Sequence, residues 1–273
     1  MCGIIGTINN HFDEQILDMI QHRGPDDSGI ASFSVSGHTV TLGHRRLSIL
    51  DLSPAGHQPM FANNNNFAII FNGEIYNHLE LRSQLKQKHF RGHSDTETIL
   101  YALAENGINA VRTFNGIFAF CFADKAKNRL YLARDPFGVK PLYYRNDGQK
   151  FYFSSEIAPI LSLSNDQISV SNIATLLRLR YLPAPKTIYK NIHKLSPGHY
   201  LEIVLDSPVV RMQEIPYLAQ LPEEYNIEFD DALKTYENLF SKSVERQLMS
   251  DVEIGILLSG GVDSALVAAK MCK

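Results

Sequence analysis

Tryptophan is absent from the 273 residues, and cysteine occurs only at positions 2, 121 and 272. Three thiols cannot all pair, and their wide spacing matches neither a zinc site nor a disulfide framework. No stretch stays apolar for longer than Ile117–Ala123, far short of the roughly 20 residues of a membrane-spanning helix. The start lacks a basic region followed by an apolar one, so it does not read as a secretion signal. A net charge of −3 gives no footing for nucleic acid or an anionic membrane. An apolar share of 44% and a charged share of 20% are ordinary for a globular protein. The expectation is a cytoplasmic chain with room for about two domains.

What is present begins with Met1-Cys2-Gly3-Ile4-Ile5-Gly6. Removal of Met1 would leave Cys2 with a thiol nucleophile and its own α-amine within one residue. That amine has a reference pKa of roughly 7.7–8.0 and can serve as the base. By itself the hexapeptide is equally a small residue after the initiator. Residues 3–8 read as a short buried strand with Cys2 at its mouth. Asp13 can cap a helix bearing Ile16, Leu17 and Ile20 on one face. By pattern, His22–Gly29 is a solvated, turn-rich loop. Strands are expected near 29–35 and 38–43, and Arg45-Arg46 closes the second. Adjacent arginines usually face solvent, but a guanidinium at a strand end can fork onto a carboxylate.

Asn63–Asn66 looks like a hairpin tip, and Phe67–Phe71 like a buried strand. Asn72-Gly73 then reads as a tight turn, or as an amide and an unobstructed N–H of the kinds that hold an oxyanion. Asn77 with Glu80, and Ser94 with Glu97, fit capping boxes opening two helices. Leu81 and Leu85 lie on the first helix's buried side, and Ile99, Leu100 and Leu103 on the second's, which Gly107 ends. Asp95 falls in a first helical turn, where the helix dipole alone would favour it. A hairpin is expected over 116–134, with Cys121 as an inert core thiol. Asp135–Gly138 is a turn, 142–145 and 150–154 are strands, 171–180 a helix, and a strand near 199–205 closes an α+β sandwich. Residues 207–228, interrupted by Pro208, Pro216 and Pro222, read as a linker. A helix from Asp230 to about Met249, a strand Val252–Leu258, the loop Ser259–Ser264 and a helix Ala265–Cys272 follow. Strand, glycine turn and helix is a geometry that presents N–H groups to phosphate.

Several segments then occur in one order: Met1–Ile4, His22-Arg23-Gly24-Pro25-Asp26, Arg46-Leu47-Ser48-Ile49, Asn72-Gly73-Glu74-Ile75-Tyr76-Asn77, Ser94-Asp95-Thr96-Glu97 and Arg134-Asp135-Pro136-Phe137-Gly138. Together they resemble the N-terminal nucleophile glutaminase domain of class II glutamine amidotransferases. Leu257-Leu258-Ser259-Gly260-Gly261-Val262-Asp263-Ser264 looks like the pyrophosphate loop of ATP pyrophosphatases. The combination is similar to glutamine-hydrolysing asparagine synthetase. The resemblance implies a four-layer αββα sandwich over 2–206, a linker over 207–229, and over 230–273 the truncated start of a Rossmann-like α/β ATP-pyrophosphatase domain.

The resemblance further implies that Cys2 attacks glutamine's side-chain amide, with Asn72 and the Gly73 N–H holding the oxyanion. Arg46 and Leu47, Ser48, Ile49 and Leu50 would hold the α-carboxylate end, and Asp95 with Glu74 the α-ammonium. Leu257, Ser259, Gly260, Gly261, Asp263 and Ser264 would bind ATP, with Mg, for the amidation of aspartate. The family allows a homodimer. The chain departs from the family in stopping soon after Ser264 and in lacking a tryptophan expected in the linker. The expectations are exposed apolar faces over 230–273 and no ATP-dependent synthesis from this chain alone. Two alternatives stand beside this reading: another class II amidotransferase, and a non-catalytic glutaminase fold that binds a partner.

Overall fold

A computed structural model describes residues 1–218 and 226–272; residues 219–225, within the expected linker, lie outside the described residues. Two six-stranded antiparallel sheets carry the fold. The first runs in the order β10 (His193–Lys194), β8 (Tyr143–Asn146), β9 (Phe151–Ser154), β1 (Gly3–Ile8), β3 (His38–Arg46) and β2 (Asp27–Val35). The second runs β12 (Arg211–Pro216), β11 (His199–Val204), β7 (Arg129–Arg134), β6 (Gly116–Asp124), β5 (Phe67–Ile75) and β4 (Met60–Ala62).

Side chains alternate across each strand, and the two faces of each sheet are buried differently. Ile4, Ile8, Leu42 and Phe153 from the first sheet meet Ala68, Ile70, Cys121, Leu132 and Leu201 from the second, forming the core between the sheets. The opposite faces bury against helices. α2 (His78–Gln84) and α3 (Asp95–Asn106) cover the second sheet through Leu81, Ile99, Leu100 and Leu103 against Phe71, Phe118 and Phe120. α1 (Glu14–Asp18) and α4 (Ile157–Leu163) cover the first through Leu17 and Ile160. The expected α+β sandwich is therefore present in four layers.

Local signals succeeded where the partner is near in sequence. Asp13 caps α1 by accepting from the Gln15 and Ile16 N–H groups. Gly107 ends α3 at φ 69°, a left-handed value. Other expectations failed. Asn77 forms no capping box with Glu80; its side chain donates to Thr113 O (3.0 Å) and accepts from Asn115 N (2.9 Å). Ser94 caps α3 through the Glu97 N–H, but the Glu97 carboxylate turns away to Arg91 N (2.9 Å) and Gly92 N (3.0 Å). Asn72-Gly73 is not a turn, since β5 runs through it to Ile75. The stretch read as a linker contains β12, a polar edge strand whose exposed residues show no periodicity and which ends at Pro216. α5 (Val170–Leu179) forms as expected, whereas α4, β4 and β10 were not anticipated.

α6 (Phe229–Arg246) and α7 (Val262–Met271) are present, but Val252–Leu258 is not a strand. A parallel strand gains its hydrogen bonds and its cover from neighbours, and none stands beside it among the described residues. Leu257 is 96% exposed, and Leu258, Leu239 and Val262 are also exposed.

The Arg134–Gly138 motif turns out to be structural. The buried Asp135 carboxylate accepts from the N–H groups of Phe118 (3.3 Å), Phe137 (3.1 Å), Val139 (2.9 Å) and Lys140 (2.9 Å). Arg134 donates to the carbonyls of Lys140, Leu195 and Gly138, each at 2.7 Å. Asp135→Ala strands several buried donors at once, so it is expected to cost roughly 3–5 kcal/mol and to lower Tm by on the order of 10 °C. Thermal unfolding checks this, and a Tm within about 2 °C of wild type would refute the assignment.

Candidate active site

β1 hydrogen-bonds to β3 on one side and β9 on the other, with Gly3 opposite Arg45. This central position fixes the residue ahead of it. Cys2 O accepts from Arg23 Nε (3.0 Å), and Arg23 and His22 both pair with Glu156 (3.0 and 2.8 Å). The loop read as solvated thus anchors the nucleophile candidate. Leu47 N–H donates to Cys2 Sγ (3.4 Å), and Sγ lies 3.7 Å from Leu47 O. Burial pushes the Cys2 thiol up; the Leu47 N–H opposes this, while the Glu74 and Asp95 charges add to it.

The free edge of β5 supplies the rest. β4 pairs only with Phe67–Ile69, so beyond that point the backbone groups on this edge lose their strand partner. Side chains replace it. Phe71 N–H donates to Gln58 Oε1 (2.7 Å), and Phe71 O accepts from His44 Nε2 (3.0 Å). Two residues further along the same edge from Gly73, Ile75 N–H donates to Asp95 Oδ2 (2.9 Å). Gly73 lies between these positions and pairs with Phe118, whose own N–H and C=O face Asp135. By the alternation of an antiparallel ladder, the Gly73 N–H therefore opens onto the uncovered edge. Asn72 is 0% exposed, and neither atom of its amide has a hydrogen-bond partner among the described residues. A buried amide left without partners is costly in a finished interior. Asn72 shares a strand face with Ile70 and Glu74, the face turned to the other sheet.

One small cavity brings together Cys2, Arg46, Leu47, Ile49, Leu50, Gly73, Glu74 and Asp95. Ser48 faces a neighbouring opening instead, with Asp26, Asp27 and His57, and its N–H donates to Asp26 Oδ2 (2.8 Å). Arg46 is buried; its guanidinium donates to Ser53 O (3.1 Å), Leu50 O (3.4 Å) and Asp51 O, bracing the loop that follows it. A Cβ on Gly56 would stand 1.9 Å from Arg46 Nη2, so only glycine leaves the guanidinium room there.

Asp95 is buried, and besides Ile75 it accepts from Thr96 N (2.7 Å). Burial raises the Asp95 carboxyl, and these bonds hold it back. Glu74 is raised further, by burial and then by the Asp95 charge, and its Oε2 has no partner. Lys140 was missed from the sequence. It is buried, burial lowers its ammonium, and the Glu74 and Cys2 charges oppose that lowering. Its only sequence signal was a lysine just after a structural turn.

In the C-terminal segment, Gly260 adopts φ 81° and Gly261 starts α7 without a side-chain cap. The Ser259 and Ser264 hydroxyls lie 3.0 Å apart, and Gly261 N–H donates to Ser259 Oγ (3.3 Å). These are phosphate-type donors, with Asp263 in the first turn, but the loop and Leu257 are open to solvent.

Two facing antiparallel sheets with a cysteine at the mouth of a central strand make a sandwich of the N-terminal nucleophile type. The fold agrees: glutamine phosphoribosylpyrophosphate amidotransferase from Bacillus subtilis, solved with ADP and GMP, superposes with a TM-score of 0.58 at 18% identity, covering 99% of this chain and 64% of that one. The chain belongs to the glutamine amidotransferase domain family, whose profile matches residues 1–212, and the asparagine synthase profile matches residues 235–273. A putative glutamine-hydrolysing asparagine synthetase 2 of Methanocaldococcus jannaschii is 37% identical, with 99% of this chain aligned to 57% of that protein. The glutamine-hydrolysing asparagine synthetase 1 of Bacillus subtilis is 34% identical, with 98% aligned to 43%. The chain spans about half the length of these relatives. Among the described residues, no helix is long and apolar enough to cross a membrane.

The raised thiol makes a chemical prediction. With Met1 in place, Cys2 should be alkylated slowly by iodoacetamide near neutrality, the rate still climbing with pH where that of an ordinary thiol has levelled off. Above about pH 8, where the raised Glu74 carboxyl is ionised, Glu74→Gln removes a neighbouring negative charge, lowers the thiol pKa and should accelerate the reaction at fixed pH. Mass spectrometry of the Cys2 peptide separates it from Cys121 and Cys272; a slower reaction in Glu74→Gln contradicts the assignment.

Proposed function

We propose that the Cys2 cavity hydrolyses glutamine to glutamate and ammonia. The observation that carries this reading is one cavity lined by both the Cys2 thiol and the uncovered Gly73 edge, with the partnerless amide of Asn72 in the adjacent residue of the same strand. With Met1 removed, the Cys2 α-amine takes the thiol proton as Sγ attacks the side-chain carbonyl carbon. The carbonyl oxygen becomes an oxyanion and accepts from Asn72 Nδ2 and Gly73 N–H. As the C–N bond breaks, the amine returns the proton to the leaving nitrogen and ammonia departs, leaving a γ-glutamyl thioester. Water, deprotonated by the same amine, adds to the thioester and releases glutamate and the thiol.

Substrate orientation follows from the charges. Arg46 and the loop Leu47–Leu50 take the α-carboxylate, with Ser48 at the outer opening. Glu74 and Asp95 take the α-ammonium. Their raised carboxyls hold a proton that the incoming ammonium displaces, because a cation at hydrogen-bond distance favours the charged form. Lys140 stabilises the thiolate without reacting. A glutaminase unit running through β12 is consistent with this chemistry, as is a cytoplasmic setting.

The similarity to asparagine synthetases supports a second half-reaction, in which ammonia amidates aspartate at the expense of ATP with Mg. Ser259, Gly260, Gly261, Asp263 and Ser264 offer phosphate donors, and Leu257 would flank adenine. These residues enclose no nucleotide, because the loop is exposed on all the sides described. Alone they do not fit ATP, and calorimetry of this chain is expected to show no micromolar Mg-ATP binding.

Ammonia release from glutamine tests the first reaction. Cys2→Ala should abolish it; activity that survives sinks the mechanism. Asn72→Ala should lower kcat by about 10²–10³ with KM little changed. As pH falls below the raised carboxyl pKa values, protonation removes the ammonium's partners, so KM should rise. In Glu74→Gln, KM should be high throughout and its pH slope shallower.

A further inference from the structure

Asp251 lies between α6 and the Ser259 loop, outside the sandwich, yet its contacts are with the supports of the Cys2 cavity. Its N–H donates to Ile49 O (3.0 Å). Its Oδ2 accepts from the Asp51 N–H (2.7 Å) and lies 2.7 Å from His93 Nε2. Nearby, Met249 Sδ lies 3.2 Å from His78 Nε2 on α2.

The two loops that Asp251 touches carry opposite ends of the proposed substrate clamp. Ile49 and Asp51 flank Leu50 in the loop braced by Arg46, and Ile49 and Leu50 line the cavity. Asp51 is buried at φ 58°, a left-handed value. Its carboxylate accepts from Ser53 N (3.1 Å) and from His93 N (2.8 Å). His93 stands two residues before Asp95, in a loop held to α3 by Glu97 and to α2 by Arg82, which donates to Gly92 O (2.9 Å) and Ser94 O (2.8 Å). The Asp51 N–H has no acceptor other than Asp251 among the described residues. An exposed His–Asp pair would count for little; a buried amide that depends on one carboxylate counts for more.

We infer that Asp251 is a positioning residue for the glutamine site, a strap from the C-terminal segment that sets the spacing between the Arg46 loop and the Asp95 loop. The inference rests on the glutaminase reading. It means that residues outside the sandwich tune glutamine affinity while the nucleophile and oxyanion donors stay where they are.

The test uses glutamine calorimetry on the Cys2→Ala chain with and without Asp251→Ala, amide exchange at Asp51 by NMR, and ammonia-release kinetics. Asp251→Ala should weaken glutamine binding about three- to tenfold and raise KM alike, with kcat within about twofold. The Asp51 amide should exchange at least about tenfold faster. Asp251→Asn keeps an acceptor for that amide and should restore most of the affinity. Glutamine binding and KM unchanged in Asp251→Ala, or a fall in kcat at constant KM, overturns the role of Asp251 alone. Absence of glutamine binding in the Cys2→Ala chain, together with no ammonia from wild type, overturns the glutaminase reading instead.

Discussion

β4 stops pairing with β5 at Ile69, and the site depends on that early stop. A strand edge inside a folded protein must have its N–H and C=O groups satisfied, and here side chains from three directions do it. Gln58 and His44 close the Phe71 position and Asp95 closes Ile75, which leaves Gly73 between them. A longer β4 would have paired the edge throughout and left no donor for a reacting oxygen. His44 plays its part as a neutral imidazole. Full burial pushes it down to about 4, so the ring keeps a proton on Nε2 for the Phe71 carbonyl without carrying charge.

Asp95 links this edge to the electrostatics of the cavity. One carboxyl group accepts from Thr96 N–H in the first turn of α3, completes a strand edge at Ile75 and shares the cavity with Glu74. Two carboxyls in a buried space cannot both ionise cheaply, and the cationic groups around them are mostly committed: Arg46 to loop carbonyls and Arg23 to Glu156 and Cys2. Lys140 remains as the balancing charge. The cavity thus sets two proton-holding carboxyls on one wall and a guanidinium on the other.

How much of this could be read from the chain depended on range. β1, the Asp13 and Ser94 caps, the 116–134 hairpin and the helix stop at Gly107 are local patterns, and each formed. Cys2, Arg46 and Gly73 could be singled out because their chemistry is distinctive at strand ends and turns. Gln58, His44 and Lys140 could not, because each acts on a residue brought near only by sheet pairing. The Asn77–Glu80 box failed for the same reason: Thr113 and Asn115, distant in sequence, offered the Asn77 amide better partners. Val252–Leu258 has the composition of a strand but no neighbour to pair with, and composition cannot supply one. β12 escaped notice because an edge strand needs no apolar alternation.

The anchoring of Cys2 also bears on how the protein is handled in the laboratory. Its carbonyl is held by Arg23, its thiol by Leu47, and the next residues by Ser155, which accepts from Ile4 N–H at 3.1 Å. That arrangement leaves the upstream side open, since Met1 already stands there largely exposed. An affinity tag or cleavage scar ahead of Cys2 would leave the fold intact and a correct mass spectrum, yet turn the α-amine into an amide. If Cys2 acts as proposed above, such a preparation would be pure, folded and without its base. Recombinant material intended for assays therefore needs its fusion partner at the other terminus, and intact-mass analysis for the loss of methionine becomes the proper measure of active-site concentration.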